Sequence, residues 1–242
     1  MSILTQPWRA RSTETPQTGS LWSPHCLLCG GAASFDLLCP ACQADLPGLQ
    51  HAACPVCLSR TTHGERCGAC LHLPPYYDRV SALFAYDFPI DRLIQAMKYG
   101  HQLLLAEWFG NKLGQQLAEH FDCEKIDRII PMPLHPARLR ERGFNQAVEL
   151  SRPLEKRLKI PVDRNLLARQ RATTPQAQLA LKERSGNVLG AFSCKREIPG
   201  QSVLLIDDVL TTGATANECA RLLKSHGAEK VHVAVIARAL KD

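Results

Sequence analysis

The stretch Val203–Thr215, VLLIDDVLTTGAT, determines how the rest of the chain is interpreted. Its first four residues are apolar, which predicts a strand covered on both faces of a parallel sheet. Two adjacent acids, Asp207 and Asp208, end that strand, and a loop of threonine and glycine follows. In parallel α/β sheets, ligands bind beyond the carboxyl ends of the strands. The acids and the loop are therefore candidate ligand-binding residues.

The segments around this strand alternate between strand and helix patterns. Further strands are predicted at 79–88, 128–133 and 230–240, and helices at 103–121, 144–158 and 214–228. Pro153 is expected to interrupt the second of these helices. Such alternation predicts an α/β fold in which a parallel sheet is flanked by helices.

The loop after the strand has the residue types that bind a phosphate group. Its backbone N–H groups can close on phosphate oxygens, and the following helix directs its positive end towards them. Thr211, Thr212 and Thr215 add hydroxyl donors. The two acids can accept hydrogen bonds from sugar hydroxyls or hold Mg²⁺, so a ribose phosphate fits both features. The alternative is an acidic strand end that caps a helix and binds no ligand.

The composition is that of a globular protein, with 45% hydrophobic and 21% charged residues. Residues 1–20 contain no apolar signal region and are expected to form a disordered tail. No apolar run approaches the roughly 20 residues of a membrane span. We therefore expect a cytoplasmic protein without a membrane span.

Eight of the eleven cysteines form four CxxC pairs, and the second set of four repeats the first at a distance of 28 residues. The two sets are Cys26, Cys29, Cys39 and Cys42, and Cys54, Cys57, Cys67 and Cys70. Paired cysteines in the cytoplasm favour metal binding over disulfides, and four thiolates complete a tetrahedral zinc site. We predict two structural zinc sites within residues 21–75, named here the first ribbon (26–42) and the second ribbon (54–70).

Three alternatives remain for these cysteines. They are redox CxxC sites, an iron–sulfur cluster, and a cross-brace in which the first pair joins the third and the second joins the fourth. Sequential pairing is favoured because each set of four then closes its own short loop.

The positive charge is concentrated in one region. The chain carries a net charge of +6, and residues 126–200 contain 15 Lys and Arg against 7 Asp and Glu. This region is expected to attract an anionic ligand. Charge alone does not separate a phosphorylated sugar from a nucleic-acid backbone.

The stretch LLIDDVLTTGAT resembles the phosphoribosyl diphosphate (PRPP) motif of type I phosphoribosyltransferases. In addition, PMPLHPARLRERGFNQA (131–147) and MKYG (97–100) resemble segments of the ComF family of competence protein F and GntX-like proteins. In that family a zinc-binding region precedes a phosphoribosyltransferase domain. The resemblance implies a double zinc ribbon at 21–75 and a type I phosphoribosyltransferase fold at 76–242.

The resemblance also implies roles for individual residues. Asp207 and Asp208 are expected to bind the ribose hydroxyls, with Mg²⁺ bridging these hydroxyls and the diphosphate. The phosphate loop, our name for Thr211, Thr212, Gly213, Ala214 and Thr215, is expected to bind the 5′-phosphate. Pyrophosphate is expected near Lys98, Arg138, Arg140, Arg142, Gly143 and Asn145. Gly143 would also allow a tight turn, and Asn145 would cap the next helix. Residues 169–190 are expected to form the mobile loop that closes over the active site.

Two functions follow from the resemblance. One is an enzyme that transfers phosphoribosyl from PRPP to a nitrogenous acceptor and releases pyrophosphate, linked to DNA uptake or the use of external DNA. The other is a non-catalytic protein of the DNA-uptake machinery that binds PRPP, single-stranded DNA, or both, alongside other DNA-uptake proteins. No residue in 80–127 identifies an acceptor, and a fold alone does not define one.

Overall fold

The computed structural model describes residues 25–33, 36–49, 52–100, 102–120, 123–171 and 188–240. The expected tail at 1–20 and most of the expected loop at 169–190 lie outside these residues. The strands are β1 (Arg79–Ala85), β2 (Arg128–Pro131), β3 (Leu167–Arg169), β4 (Phe192–Cys194), β5 (Ser202–Leu210) and β6 (Lys230–Arg238). The helices are α1 (Pro40–Ala44), α2 (Gly68–His72), α3 (Ile90–Tyr99), α4 (Leu103–His120), α5 (Pro136–Arg142), α6 (Gln146–Leu158) and α7 (Ala214–Ser225).

The central sheet is parallel, which confirms the predicted fold class. Its strand order is β1-β6-β5-β2, so the strand that contains the two acids lies between two others. Within the described chain, β3 and β4 form a separate antiparallel pair that the sequence did not predict. Because all four central strands point the same way, their carboxyl ends meet at one edge of the sheet.

The apolar run of β5 is buried on both faces of the sheet. Val203 and Leu205 belong to the hydrophobic cluster that contains buried residues of α7. Leu204 and Ile206 belong to the cluster that contains buried residues of α3, α4 and α6. Side chains alternate across a strand, so a run without polar residues is required wherever both faces are covered.

The prediction that Pro153 interrupts its helix is wrong. Helix α6 runs unbroken from Gln146 to Leu158 with Pro153 inside it. The proline ring packs against Gly110 of α4, where an added Cβ would lie 2.4 Å from the Pro153 Cγ atom. Packing against α4 holds the helix together although the proline lacks an N–H donor.

The two ribbons lie on different sides of the sheet. Cys26 and Cys42 of the first ribbon belong to the cluster that contains α3 and α4, and Gln43 of α1 accepts a hydrogen bond from Lys112 of α4 at 2.8 Å. Cys54 and Cys57 of the second ribbon belong to the cluster that contains α7. None of the described helices is long and apolar enough to cross a bilayer.

Candidate functional site

Each set of four cysteines is gathered into one cluster. The four Sγ atoms of each ribbon lie within 4.8 Å of one another, so the pairing is sequential, as the spacing favoured. The Cys29 and Cys39 sulfurs are 3.8 Å apart, and the Cys57 and Cys67 sulfurs are 3.6 Å apart. A tetrahedral ion with Zn–S bonds of about 2.3 Å separates its sulfurs by about 3.8 Å. Both sites therefore fit structural zinc.

The pKa shifts of the first and fourth cysteines repeat between the two ribbons. Burial opposes ionisation at Cys26 and Cys54, but backbone N–H donors lower the pKa of each to about 7. Burial and neighbouring thiols raise the pKa of Cys42 and Cys70. The thiolate is the form of cysteine that ligates a metal. In each ribbon the first cysteine is therefore already partly in its metal-binding form at neutral pH.

The two acids lie inside β5, which continues past them to Leu210 and does not end at them as expected, and they have different surroundings. Asp208 lies on the same face of β5 as Leu204 and Ile206. Its carboxylate forms an ion pair of 2.8 Å with Lys98 at the end of α3. The backbone N–H of Asp208 donates to Oδ1 of Asp207 at 2.9 Å. Lys98, expected among the pyrophosphate ligands, therefore contacts one of the two acids directly.

Burial and the neighbouring charge of Asp208 raise the pKa of Asp207 to about 7, against the opposing effects of Lys98 and Arg169. Burial disfavours the ammonium form of Lys98, but the Asp208 carboxylate outweighs it and raises the Lys98 pKa. Desolvation and a like charge both disfavour a carboxylate. Asp208 therefore has Lys98 as a direct ion-pair partner, whereas Asp207 makes no ion pair among the described residues.

The phosphate loop turns directly into helix α7. Gly213 is the N-cap residue with φ of +79°, a left-handed conformation that glycine adopts readily. The Ala214 N–H donates to the Thr212 hydroxyl at 3.3 Å. The first turn of α7 contains no acidic residue, so its positive end is not neutralised locally.

A cavity of about 460 Å³ lies at the carboxyl edge of the sheet. Its lining includes both acids and the first and last residues of the phosphate loop, Thr211 and Thr215. Four cationic side chains also line it, namely Lys98, Arg138, Arg142 and Arg169. An excess of positive groups over two acids suits a ligand with several negative charges.

The arginines expected near pyrophosphate do not share one position. Arg138 and Arg142 line the cavity, as residues four apart lie on one face of a helix. Arg140 is exposed and is not among the lining residues. The Arg142 guanidinium lies 5.0 Å from the ring centre of Tyr99, which connects α5 to α3. Gly143 caps α5 with φ of +80°, which is the tight turn that was predicted.

The side chain of Asn145 has a structural role. Its Oδ1 accepts from the Ala147 N–H at 3.0 Å, and its Nδ2 donates to the Met132 carbonyl at 3.0 Å. This confirms the predicted helix cap. The adjacent Gln146 also lines the cavity, is 3% exposed, and its Nε2 has no hydrogen-bond partner among the described residues. Gln146 was missed, although it stands within the RGFNQA segment that had been singled out.

Arg169 was also missed as a site residue. It ends β3 and lines the cavity, and its guanidinium lies 5.4 Å from the ring centre of Phe192 on β4. Burial and the positive charge of Arg138 lower its pKa. It is the first residue of the segment 169–190 that was expected to close over the site, and the structure places it instead at the end of β3, paired with Phe192 of β4.

Two known family models match parts of the chain. Residues 18–71 match the double zinc ribbon domain, and residues 139–242 match the phosphoribosyl transferase domain. The second match contains the two acids, the phosphate loop and Arg169. It starts at Leu139, so Lys98 and Arg138 lie outside it.

Curated relatives align with most of the chain. Competence protein F of Haemophilus influenzae is 34% identical over 228 residues, covering 89% of this chain and 97% of its own length. DNA utilization protein YhgH of Escherichia coli K12 is 34% identical over 194 residues, covering 77% and 84%. The solved purine phosphoribosyltransferase of Pyrococcus horikoshii aligns with 55% of this chain and 87% of its own, at 17% identity and a TM-score of 0.34. The chain belongs to the ComF family of competence protein F and its relatives, with a double zinc ribbon ahead of a type I phosphoribosyltransferase domain.

Proposed function

We propose that this protein binds PRPP with Mg²⁺ and transfers its phosphoribosyl group to a nitrogenous acceptor, with release of pyrophosphate. The observation that carries the proposal is the cavity at the sheet edge. It places two acids, two residues of the phosphate loop and four cationic side chains around one volume of about 460 Å³. PRPP presents a sugar diol, a phosphate and a diphosphate, which correspond to these three kinds of group.

The binding roles follow from the chemistry of each group. Asp207 accepts hydrogen bonds from the ribose hydroxyls, because within the described parts of the chain its carboxylate makes no ion pair like that of Asp208 with Lys98. The phosphate loop donates N–H and O–H groups to the 5′-phosphate. Arg138, Arg142 and Arg169 line the side of the cavity assigned to the diphosphate, where guanidinium groups match phosphate oxygens.

The carboxylate oxygens of Asp207 and Asp208 also fit Mg²⁺, which prefers oxygen ligands and remains bound to phosphate oxygens. When bound, the ion would neutralise charge on the departing pyrophosphate. Arg138, Arg142 and Arg169 stabilise the negative charge of the same pyrophosphate group by donating hydrogen bonds to its oxygens. The ion pair between Lys98 and Asp208 compensates part of the cost of burying these two charges beside the ligand.

The decisive experiment is calorimetric titration of PRPP–Mg²⁺ into the wild-type protein and into the double variant Asp207→Asn, Asp208→Asn. Amides keep the size of the two side chains but are poor Mg²⁺ ligands and weaker acceptors. Asp127→Asn is the matched control, because Asp127 is exposed at the opposite end of the sheet, where it accepts from the Ser202 N–H at 2.8 Å. We expect loss of binding only in the double variant. Equal affinity in all three proteins would rule out the PRPP site.

Pyrophosphate release distinguishes an enzyme from a binding protein. The wild-type protein is incubated with PRPP–Mg²⁺ and a panel of nitrogenous bases and single-stranded DNA. Release that depends on one acceptor supports transfer and identifies the acceptor class. PRPP binding without release under every condition would support the non-catalytic alternative.

A role in DNA uptake or in the use of external DNA is the second part of the proposal. It is supported by relatives named competence protein F and DNA utilization protein. The exposed Arg140 on α5 and the positive charge of residues 126–200 offer contacts for a nucleic-acid backbone outside the cavity.

A further inference from the structure

The second ribbon and the phosphate loop line the same groove. This groove has a volume of about 460 Å³ and lies beside the cavity described above. Three cysteines of the second ribbon, Cys57, Cys67 and Cys70, form one side of it. Residues Thr211 to Ala214 of the phosphate loop form another. Metal ligands and phosphate-binding residues are therefore neighbours, although about 150 residues separate them in the chain.

Arg238 joins the ribbon to the loop by direct hydrogen bonds. Its side chain is buried at the end of β6, with 7% exposure. Its Nε donates to the carbonyl of Cys57 at 2.9 Å. Its Nη1 donates to the carbonyl of Leu210 at 3.0 Å and to that of Thr211. A single guanidinium thus binds the backbone of a metal-ligand residue and the backbone where the phosphate loop begins.

Tyr77 provides a second connection between these parts. Its hydroxyl lies 3.0 Å from the position that a Cβ on Gly213 would occupy, so the loop backbone rests on the tyrosine. Tyr77 is 5% exposed and belongs to the same hydrophobic cluster as Cys54, Val56 and Cys57 of the second ribbon. The loop is therefore supported from the side on which the ribbon lies.

The first ribbon has different neighbours. Its buried residues belong to the cluster formed with α3 and α4. None of its described residues is among those that line the groove beside the phosphate loop. The two ribbons repeat one another in sequence but not in their relation to the site.

We infer that the second ribbon, and not the first, holds the phosphate loop in its binding conformation, and that Arg238 is the positioning residue that transmits this effect. Loss of metal from the second ribbon releases the turn that contains Cys57. The Arg238 side chain then loses one of its fixed acceptors, and the loop carbonyls lose a fixed donor. The consequence for PRPP affinity rests on the function proposed above, whereas the effect on loop conformation does not.

The repeat supplies a matched pair of variants for the test. Cys39→Ser and Cys67→Ser change equivalent positions, 28 residues apart, and each is expected to leave one zinc ion per chain. Hydrogen exchange of residues 210–217 is measured without ligand, and PRPP–Mg²⁺ affinity is measured by calorimetry. For Cys67→Ser we expect faster exchange in this segment and an affinity about tenfold weaker. For Cys39→Ser we expect both quantities to match the wild type. Equal effects in the two variants would overturn the inference.

Arg238→Lys tests the route itself. Lysine keeps the charge but cannot bind several carbonyls in the fixed geometry of a guanidinium. The variant should retain two zinc ions and still show faster exchange in residues 210–217. Unchanged exchange in this variant would exclude Arg238 as the connection. The Arg238→Lys experiment is informative even if Cys67→Ser does not fold.

The two readouts separate this inference from the proposed function. Faster exchange only in Cys67→Ser, in a protein that does not bind PRPP, would support the coupling and reject the PRPP site. Normal PRPP binding by both cysteine variants, with normal exchange, would reject the coupling and leave the PRPP site intact.

Discussion

Binding of PRPP–Mg²⁺ should release a proton from Asp207 and should weaken as the pH falls below about 7. In the empty protein, burial and Asp208 raise the pKa of Asp207 from 3.8 to about 7. The ionised carboxylate is the form that accepts hydrogen bonds from ribose hydroxyls and binds a cation. At and below about pH 7, a large share of the empty molecules therefore holds a proton that the ligand must displace.

The magnitude follows from this pKa. At pH 7 about half of the empty molecules are protonated at Asp207, so binding should release about 0.5 proton. Between pH 8 and pH 6 the affinity should fall about tenfold from this group alone. The ligand's own phosphate, with a pKa of about 6, contributes only about 0.1 proton at pH 7.

Calorimetry at pH 7 in two buffers with different ionisation enthalpies gives the number of protons released. Lys98→Met is an informative comparison, because Lys98 opposes the upward shift of the Asp207 pKa. In that variant the midpoint of the affinity profile should move above pH 7, whatever the absolute affinity. Absence of proton release at pH 7, or stronger binding at pH 6 than at pH 8, would refute the assignment of Asp207.

Stability should respond in the opposite direction. A carboxyl whose folded pKa lies above its unfolded value makes the folded state bind more protons between those two pKa values. The free energy of unfolding therefore falls as the pH rises from about 4 to about 7, and above that range the buried Asp207 carboxylate is a stability penalty. Asp207→Asn removes this penalty, so the empty variant should melt at a higher temperature than the wild type at pH 8. A lower melting temperature would indicate a structural role.

Four further predictions concern separate parts of the molecule. Elemental analysis should find two zinc ions per chain, and one ion with free thiols in either ribbon would contradict the two-site interpretation. Gln146→Glu removes a buried donor from the cavity and should weaken PRPP binding about tenfold. The control Gln95→Glu, on the exposed face of α3, should leave binding unchanged, and equal affinities of the two variants would exclude Gln146 as a ligand. Gly110→Val should destabilise the fold by about 1–3 kcal/mol in thermal unfolding, because its side chain would collide with Pro153, and an unchanged melting temperature would contradict this packing. Any binding of single-stranded DNA should weaken steeply with salt and less steeply in Arg140→Glu, and salt-independent binding would exclude a backbone contact.

The features that the sequence predicted are local in the chain. Each four-cysteine site closes within 17 residues, so spacing alone indicated the ligands and favoured sequential pairing, while the cross-brace stayed open until the structure brought each set of four together. The acids and the phosphate loop form one continuous segment, and the apolar run before them indicated a strand covered on both faces. The helix cap at Asn145 was likewise readable, since it joins residues only two apart.

What the sequence left open depends on contacts between distant segments. The helix break expected at Pro153 does not occur because Gly110, 43 residues earlier, admits the proline ring. The ion pair of Lys98 with Asp208 and the placement of Arg169 at the cavity require the sheet to be assembled first. The same holds for the contact of Arg238 with Cys57, which spans 181 residues. Spacing along a chain constrains only groups that fold next to each other locally, whereas sheet order and helix packing decide which distant side chains share one site.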